Sequence, residues 1–300
     1  MKTILVTGGS GFIGRNLCHS LLANDWQVIV LSRNPGKAAR ILPSSVALIS
    51  DLNQLTQSVD ILINLAGAPI ADKRWSVKRK ATISQSRIQT TQVLYDYFKQ
   101  ADKPPSIVIS GSAIGYYGGG LANNQSVIEE GAVVPNFSSQ LCADWESSAQ
   151  QFESLGSRVC CLRTGIVLGE QGALSKLLPA FKLGLGGPIA SGQQWMPWIH
   201  IDDMVNIIIY AIENDICGPI NCTAPNPVTN KEFAKTLGMV LKRPAIAPMP
   251  AVIVKLLFGQ MGDELMIQGQ CVIPQKLQQQ GYQFSYNNLA SALGQLLNTK

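Results

Sequence analysis

The sequence predicts a doubly wound α/β fold, a parallel sheet with helices on both faces, followed by a smaller α/β region on the substrate side. Three observations point there. Short, continuous apolar runs alternate with helix-length segments through the first half of the chain. The first of those runs enters a glycine-rich turn. The 300 residues are 46% hydrophobic and only 14% charged, against a typical ~25%. That composition excludes a disordered, collagen-like or coiled-coil chain, and the length can bury a core without disulfides or metals.

The elements follow in order. Ile4-Leu5-Val6 reads as a strand, and Leu17, Leu21 and Leu22 then recur at helical spacing. Val28-Ile29-Val30-Leu31, Ala47-Leu48-Ile49 and Ile61-Leu62-Ile63 are further strand candidates. A long helix is expected from about Ser76 to Gln100, stopping before Pro104-Pro105. Ile107-Val108-Ile109 and Val159-Cys160-Cys161-Leu162 complete the set. These runs are apolar throughout rather than alternating, as strands covered on both faces require. The larger domain is expected over about residues 1–170, with later segments to about 230 contributing. About residues 171–300 form the smaller region. There Gly184-Leu185-Gly186-Gly187-Pro188 is a turn-rich connector. Asp203 is expected to begin and cap a helix reaching Ile212, and Thr229 or Asn230 to cap another, with Glu232 close behind. Pro244, Pro248 and Pro250 break the chain before a final helical part.

A net charge of +5 suits an anionic small molecule. The longest basic run, Lys78-Arg79-Lys80, falls short of the ~5–8 residues of a nucleic-acid patch and reads as a solvated helix face. Seven cysteines, an odd number without C-x-x-C spacing, read as reduced, mostly buried thiols of a cytoplasmic protein. The first residues resemble no cleavable leader. No apolar run approaches the ~20 residues of a membrane span, so no membrane partner is expected. His19 and His200 lie far apart with no Cys/His cluster, so no metal is expected.

The strongest local signal is Thr7-Gly8-Gly9-Ser10-Gly11-Phe12-Ile13-Gly14, directly after a strand and opening a helix. Gly8 permits the tight turn, Gly11 lets the backbone approach a pyrophosphate, and Gly14 allows close helix–strand packing. Backbone N–H groups around Phe12 and Ile13 then face the phosphates. The next strand ends Leu31-Ser32-Arg33-Asn34, and no acidic residue lies between Asp25 and Asp51. An acidic side chain there would bind the ribose 2′-hydroxyl of NAD; Arg33, with Lys37 and Arg40 nearby, suits a 2′-phosphate instead. The expected cofactor is NADP(H).

Thr7–Gly14, Asn64-Leu65-Ala66-Gly67 and Ser110-Gly111-Ser112-Ala113 together resemble the extended short-chain dehydrogenases/reductases, a Rossmann-fold superfamily. Later segments narrow the match: Arg163-Thr164-Gly165-Ile166-Val167-Leu168-Gly169, Trp198-Ile199-His200-Ile201-Asp202-Asp203, and Gly281-Tyr282-Gln283-Phe284-Ser285-Tyr286. The chain resembles an atypical group labelled as the NAD-dependent epimerase/dehydratase family, with its own C-terminal domain at about residues 246–297. The resemblance implies that Asp51, Leu52, Ala66 and Gly67 also contact the cofactor. It further implies an oxidoreductase or epimerase acting on a small carbonyl or hydroxyl compound.

The resemblance also marks what is missing. Hydride chemistry in the superfamily uses a Tyr-x-x-x-Lys pair, in which the Lys lowers the phenol pKa. Aligning on Glu146 puts Ser138 at the Tyr position and Cys142 at the Lys position. Arg87 falls where a relay Asn is usual, and Met196 where an Arg contacts a sugar-nucleotide diphosphate, which argues against a UDP-sugar. Ser112 keeps the strand-end position that binds the reacting oxygen, and Tyr116 or Tyr117 is the substitute acid, unless both tyrosines only pack. His200 reads as a structural residue, Trp195 and Trp198 as pocket walls or core, and Glu129 and Glu130 as surface-loop residues without a role. An intact cofactor loop beside a missing acid–base pair also fits a non-catalytic NADP(H)-sensing module that presents a regulated surface to a protein.

Overall fold

A computed structural model describes residues 2–119 and 126–298. Seven parallel strands form the central sheet: β1 (Thr3–Thr7), β2 (Gln27–Leu31), β3 (Ala47–Ile49), β4 (Ile61–Asn64), β5 (Ile107–Ala113), β6 (Arg158–Thr164) and β7 (Gly218–Cys222). The spatial order is β3-β2-β1-β4-β5-β6-β7. Each apolar run splits between two layers because successive side chains point to opposite faces. Ile4, Val6, Val28, Val30, Ile61 and Ile63 join one core, while Leu5, Ile29 and Leu62 join the other. The first core is closed by helices α1 (Phe12–Ala23) and α4 (Ile201–Glu213). On the opposite face lie α2 (Val77–Lys99) and α3 (Phe137–Gln150), which supply Leu94, Phe98 and Ala149.

Local chemistry sets the helix ends. Ser76 caps α2 by accepting from the Arg79 N–H, and Asn136 forms a capping box with Ser139 at the start of α3. Thr229 forms another with Glu232 at α5 (Asn230–Leu241). Asp203 does not cap α4. His200 takes that place, its ring accepting from the Asp202 N–H, and the helix starts at Ile201. Asp203, fully buried, instead accepts from the backbone N–H groups of Ser285 and Tyr286 at 2.8 and 3.0 Å, fastening the C-terminal tail to α4. A third core, around Phe181, Trp198, Phe233, Leu237, Leu289 and Leu293, sits in the C-terminal half. Among the described residues no helix is long and apolar enough to cross a membrane.

The chain crosses from one half of the sheet to the other between β1 and β4. In open parallel sheets the crevice at such a reversal, beyond the carboxyl ends of the strands, is where ligands bind. Both loops flanking that crevice carry the glycines singled out above.

Candidate functional site

The loop after β1 is built around close backbone approaches. Gly8 has φ +72°, and a Cβ there would lie 2.5 Å from the Leu65 carbonyl oxygen. A Cβ on Gly14 would lie 2.3 Å from the Gly8 carbonyl oxygen. The Gly11 N–H donates to Gly8 O at 2.9 Å, closing the turn. No side chain caps α1, so its first N–H groups, from Phe12 onward, are left open as an anion site. The β1 and β4 ends are tied together: Thr7 Oγ1 donates to Asn64 Oδ1 at 2.6 Å, and Asn64 Nδ2 donates to Thr91 Oγ1 at 2.9 Å. Leu65, Ala66 and Gly67 follow directly and form the opposite lip, so the two glycine loops are one cradle.

Arg33, Lys37 and Arg40 are all exposed at the end of β2, and Asn34 caps the short helix that carries Lys37. No carboxylate pairs with Arg33 among the described residues. Asp51, at the end of β3, is exposed and spends its side chain accepting from Asn53 N; Leu52 beside it is buried. The cradle, the open helix end and the unpaired cation fit a dinucleotide bearing a 2′-phosphate.

At the end of β5 the structure gathers a buried polar network. Ser112 Oγ donates to Glu146 Oε1 at 2.6 Å. The same carboxylate accepts two parallel bonds from Arg163, Nε to Oε1 and Nη2 to Oε2, both 2.8 Å. The paired side chains are 3% and 5% exposed. Arg163 Nη1 continues to the Tyr117 hydroxyl at 3.0 Å and the Glu129 carbonyl at 2.7 Å. Tyr117, at 0% exposure, donates to Asn221 Oδ1 at 2.6 Å. Burial pushes its phenol up to about 12, against the opposing pull of Arg163. Its hydroxyl is thus committed within the network, whereas Tyr116 is half-buried with its ring over the Arg163 guanidinium, 3.4 Å from centroid to Cζ.

Glu129 departs from expectation. It is not a surface residue but 3% exposed, and its carboxylate accepts from the N–H groups of Asn221 (3.1 Å) and Lys276 (3.3 Å). Two adjacent glutamates give no local sign of which member turns inward; Glu130 is the exposed one. Glu129, Arg163 and Asn221 are therefore members of the site region that the sequence did not single out individually.

Ser138 and Cys142 do face the same turn as Ser112. A Cβ on Gly115 would lie 3.2 Å from Ser138 Cβ and 3.7 Å from Cys142 Sγ. Cys142 supplies no charge: burial, reinforced by Glu146, pushes its thiol up to about 12. Ser138 is engaged by a carboxylate from the C-terminal region, donating to Glu264 from Oγ (2.7 Å) and N (3.0 Å). Met196 sits in a two-residue strand and accepts from Asn230 Nδ2. Trp198 is fully buried in the third core, and Trp195 is half-buried. His200 is 1% exposed and bonded to Gln295 at 3.0 Å.

Comparison with known proteins agrees with the fold. The profile of the NAD dependent epimerase/dehydratase family matches residues 4–222, and a domain of unknown function (DUF1731) matches residues 249–296. The chain is 38% identical over 302 residues to "Epimerase family protein SAR0825" of Staphylococcus aureus, covering 99% of each. It is 37% identical to the chloroplastic SDR39U1 homolog of Arabidopsis thaliana, covering 97% of this chain and 85% of that one. A crystal structure of human epimerase family protein SDR39U1 with NADPH superposes with TM-score 0.88 at 33% identity, covering 99% of this chain and 100% of that one. With the family profile spanning the whole parallel sheet and both glycine loops, this chain belongs to the NAD-dependent epimerase/dehydratase family.

Proposed function

We propose that the protein binds NADP(H) and uses it to reduce or epimerise a small carbonyl or hydroxyl compound without the Tyr-x-x-x-Lys pair. One observation carries the cofactor half: an intact glycine cradle ends beside an exposed, unpaired Arg33 where NAD-binding sites place an acid. The NADPH held by human SDR39U1 supports it. Gly8, Gly11 and Gly14 would admit the pyrophosphate to the N–H groups of Phe12 and Ile13. Arg33 would pair with the 2′-phosphate, and Asp51, Leu52, Ala66 and Gly67 would line the adenosine and ribose.

NADP(H), when bound, supplies or accepts a hydride. This chain must then handle the substrate oxygen. Ser112 has its single proton directed at Glu146, so toward a ligand it offers lone pairs and accepts from a hydroxyl. Tyr116 is the proton donor in this reading, since the Tyr117 hydroxyl already serves Arg163 and Asn221 and positions the turn. A specific observation favours a second reading, a cofactor-dependent sensor: neither Ser138 nor Cys142 provides an acid or a cation.

A carbonyl screen that follows loss of nicotinamide absorbance separates the two. Turnover that drops at least about tenfold in Ser112→Ala and Tyr116→Phe supports the enzyme. Turnover indifferent to both changes removes the proposed site, and binding of NADPH with no turnover of any candidate favours the sensor.

A further inference from the structure

Positive charge is concentrated on one stretch of this chain. Residues 61–95 hold six basic side chains and one acid, Asp72, an excess as large as the +5 of the whole protein. Asp72 is already taken by Lys176, at 2.7 Å. Lys78 is exposed, as a solvated helix face requires, but its neighbour Arg79 turns partly inward. Arg87, about two turns further along α2, is half-buried as well. Neither arginine has a carboxylate within ion-pair distance among the described residues.

The two guanidiniums meet at one loop. Arg79 Nη2 donates to the Pro69 carbonyl, and Arg87 Nη1 to the adjoining Ala68 carbonyl at 3.1 Å. Consecutive Cα atoms lie ~3.8 Å apart, so the two charges are close neighbours. Burial holds the Arg87 pKa below the ordinary guanidinium value; Cys142 opposes that shift and the Arg79 charge adds to it. Arg79 Nε is shut off from water and has no acceptor among the described residues. Supporting a loop needs only donors, which neutral side chains supply. Two half-buried charges side by side are a cost that two carbonyls do not offset, and a bound anion does.

The pair also lies beside the end of β5. Trp145 packs against Gly111, where a Cβ would meet its ring at 2.7 Å, and the Arg87 guanidinium lies 5.1 Å from the same residue's ring centroid. Cys142, one turn earlier on α3, is within interaction range of Ser112, Ala113 and Arg87. We propose that Arg79 and Arg87 form an anion subsite, and that the substrate is an acidic carbonyl or hydroxyl compound whose carboxylate or phosphate they hold near Ser112. The guanidinium fork matches either group. This rests on the enzyme reading above and names its substrate class. The two arginines bind and orient; the step at the substrate oxygen stays with Ser112 and Tyr116.

Titration of the NADPH-loaded protein with inorganic phosphate and with oxalate tests this, at constant ionic strength and followed by tryptophan emission. Trp145 is the reporter beside Arg87. At least one probe saturates the wild-type signal. Arg79→Gln and Arg87→Gln each weaken that anion at least about tenfold and leave NADPH affinity within about twofold, while Arg87→Lys retains most of the binding. Each glutamine keeps an N–H for the loop carbonyl, and should one variant fail to fold, the other decides. No saturable response to either probe, or one indifferent to both changes, overturns the proposal. Loss of NADPH affinity in place of anion affinity overturns it too, giving the pair to the cofactor's own phosphates. In the turnover screen, 2-oxo acids exceed their amides at least about tenfold in kcat/KM, and Arg79→Gln removes the advantage; equal rates overturn the substrate class. A protein that binds phosphate through the pair but binds no NADPH sinks the cofactor reading and keeps the anion subsite.

Discussion

Replacing Glu146 by Gln tests how the β5 end is held together. The substitution keeps the shape of the side chain but removes the one carboxylate bonded to Arg163 among the described residues. One of the two oxygens becomes an NH2 group facing a donor, and the Ser112 hydroxyl shares the loss. Both partners are nearly inaccessible to water, so solvent does not compensate the orphaned guanidinium. Breaking such a pair from one side costs about 3–5 kcal/mol, a large share of a total stability of about 5–15 kcal/mol. For a chain of this size, with a urea slope near ~3 kcal/mol/M, the unfolding midpoint falls by roughly 1–2 M. Removing both charges, as in Glu146→Leu with Arg163→Met, recovers a substantial part of the loss, because no unpaired charge remains. A single-variant loss below about 1 kcal/mol would refute this reasoning, showing that Tyr117 and the Glu129 carbonyl alone sustain the buried charge.

Two further outcomes follow from the burial pattern. Burial holds the His200 pKa below its ordinary value of 6.5, with the neutral ring bonded to Gln295 and Asp202 N. Below about pH 6.5 the unfolded imidazole takes up a proton that the folded one refuses, so stability is complete above that pH and declines as it falls. Melting temperature measured across about pH 5–7.5 should show that decline, flattened in His200→Gln; an identical slope in the variant contradicts it. For the thiols, Cys217 is exposed, while Cys18, Cys142, Cys160, Cys161, Cys222 and Cys271 are buried. A small thiol reagent should modify one cysteine per native chain and all seven after denaturation. Rapid native labelling of Cys142 would contradict the packing around it.

Elements whose chemistry is local were readable from the sequence. The strand runs, the Ser76 and Thr229 caps and the Gly8–Gly14 turn depend on neighbours within a few positions, and each lies where its pattern put it. Partners distant in sequence were not. Arg163 lies in a stretch that resembles family relatives, yet nothing in that stretch reveals that it clamps Glu146 and reaches Tyr117, 46 residues away. Glu129 looked like a loop acid because its partners, Asn221 and Lys276, lie 92 and 147 positions further on. Asp203 had the composition of a cap, but the tail it fastens contributes only backbone N–H groups, which leave no mark in the side-chain sequence. The absence of Tyr and Lys at Ser138 and Cys142 was plain beforehand; that Glu264 engages Ser138 from the C-terminal region required the fold.

The most direct measurement compares NADPH and NADH affinities for the wild-type protein and for Arg33→Gln. A charge-assisted contact from an exposed arginine to a 2′-phosphate, supported by Lys37 and Arg40, should favour NADPH by about tenfold or more. Arg33→Gln should remove most of that preference by weakening NADPH while leaving NADH within about twofold. Equal wild-type affinities for the two dinucleotides, or a preference untouched by the substitution, would contradict the assignment of this cradle to NADP(H).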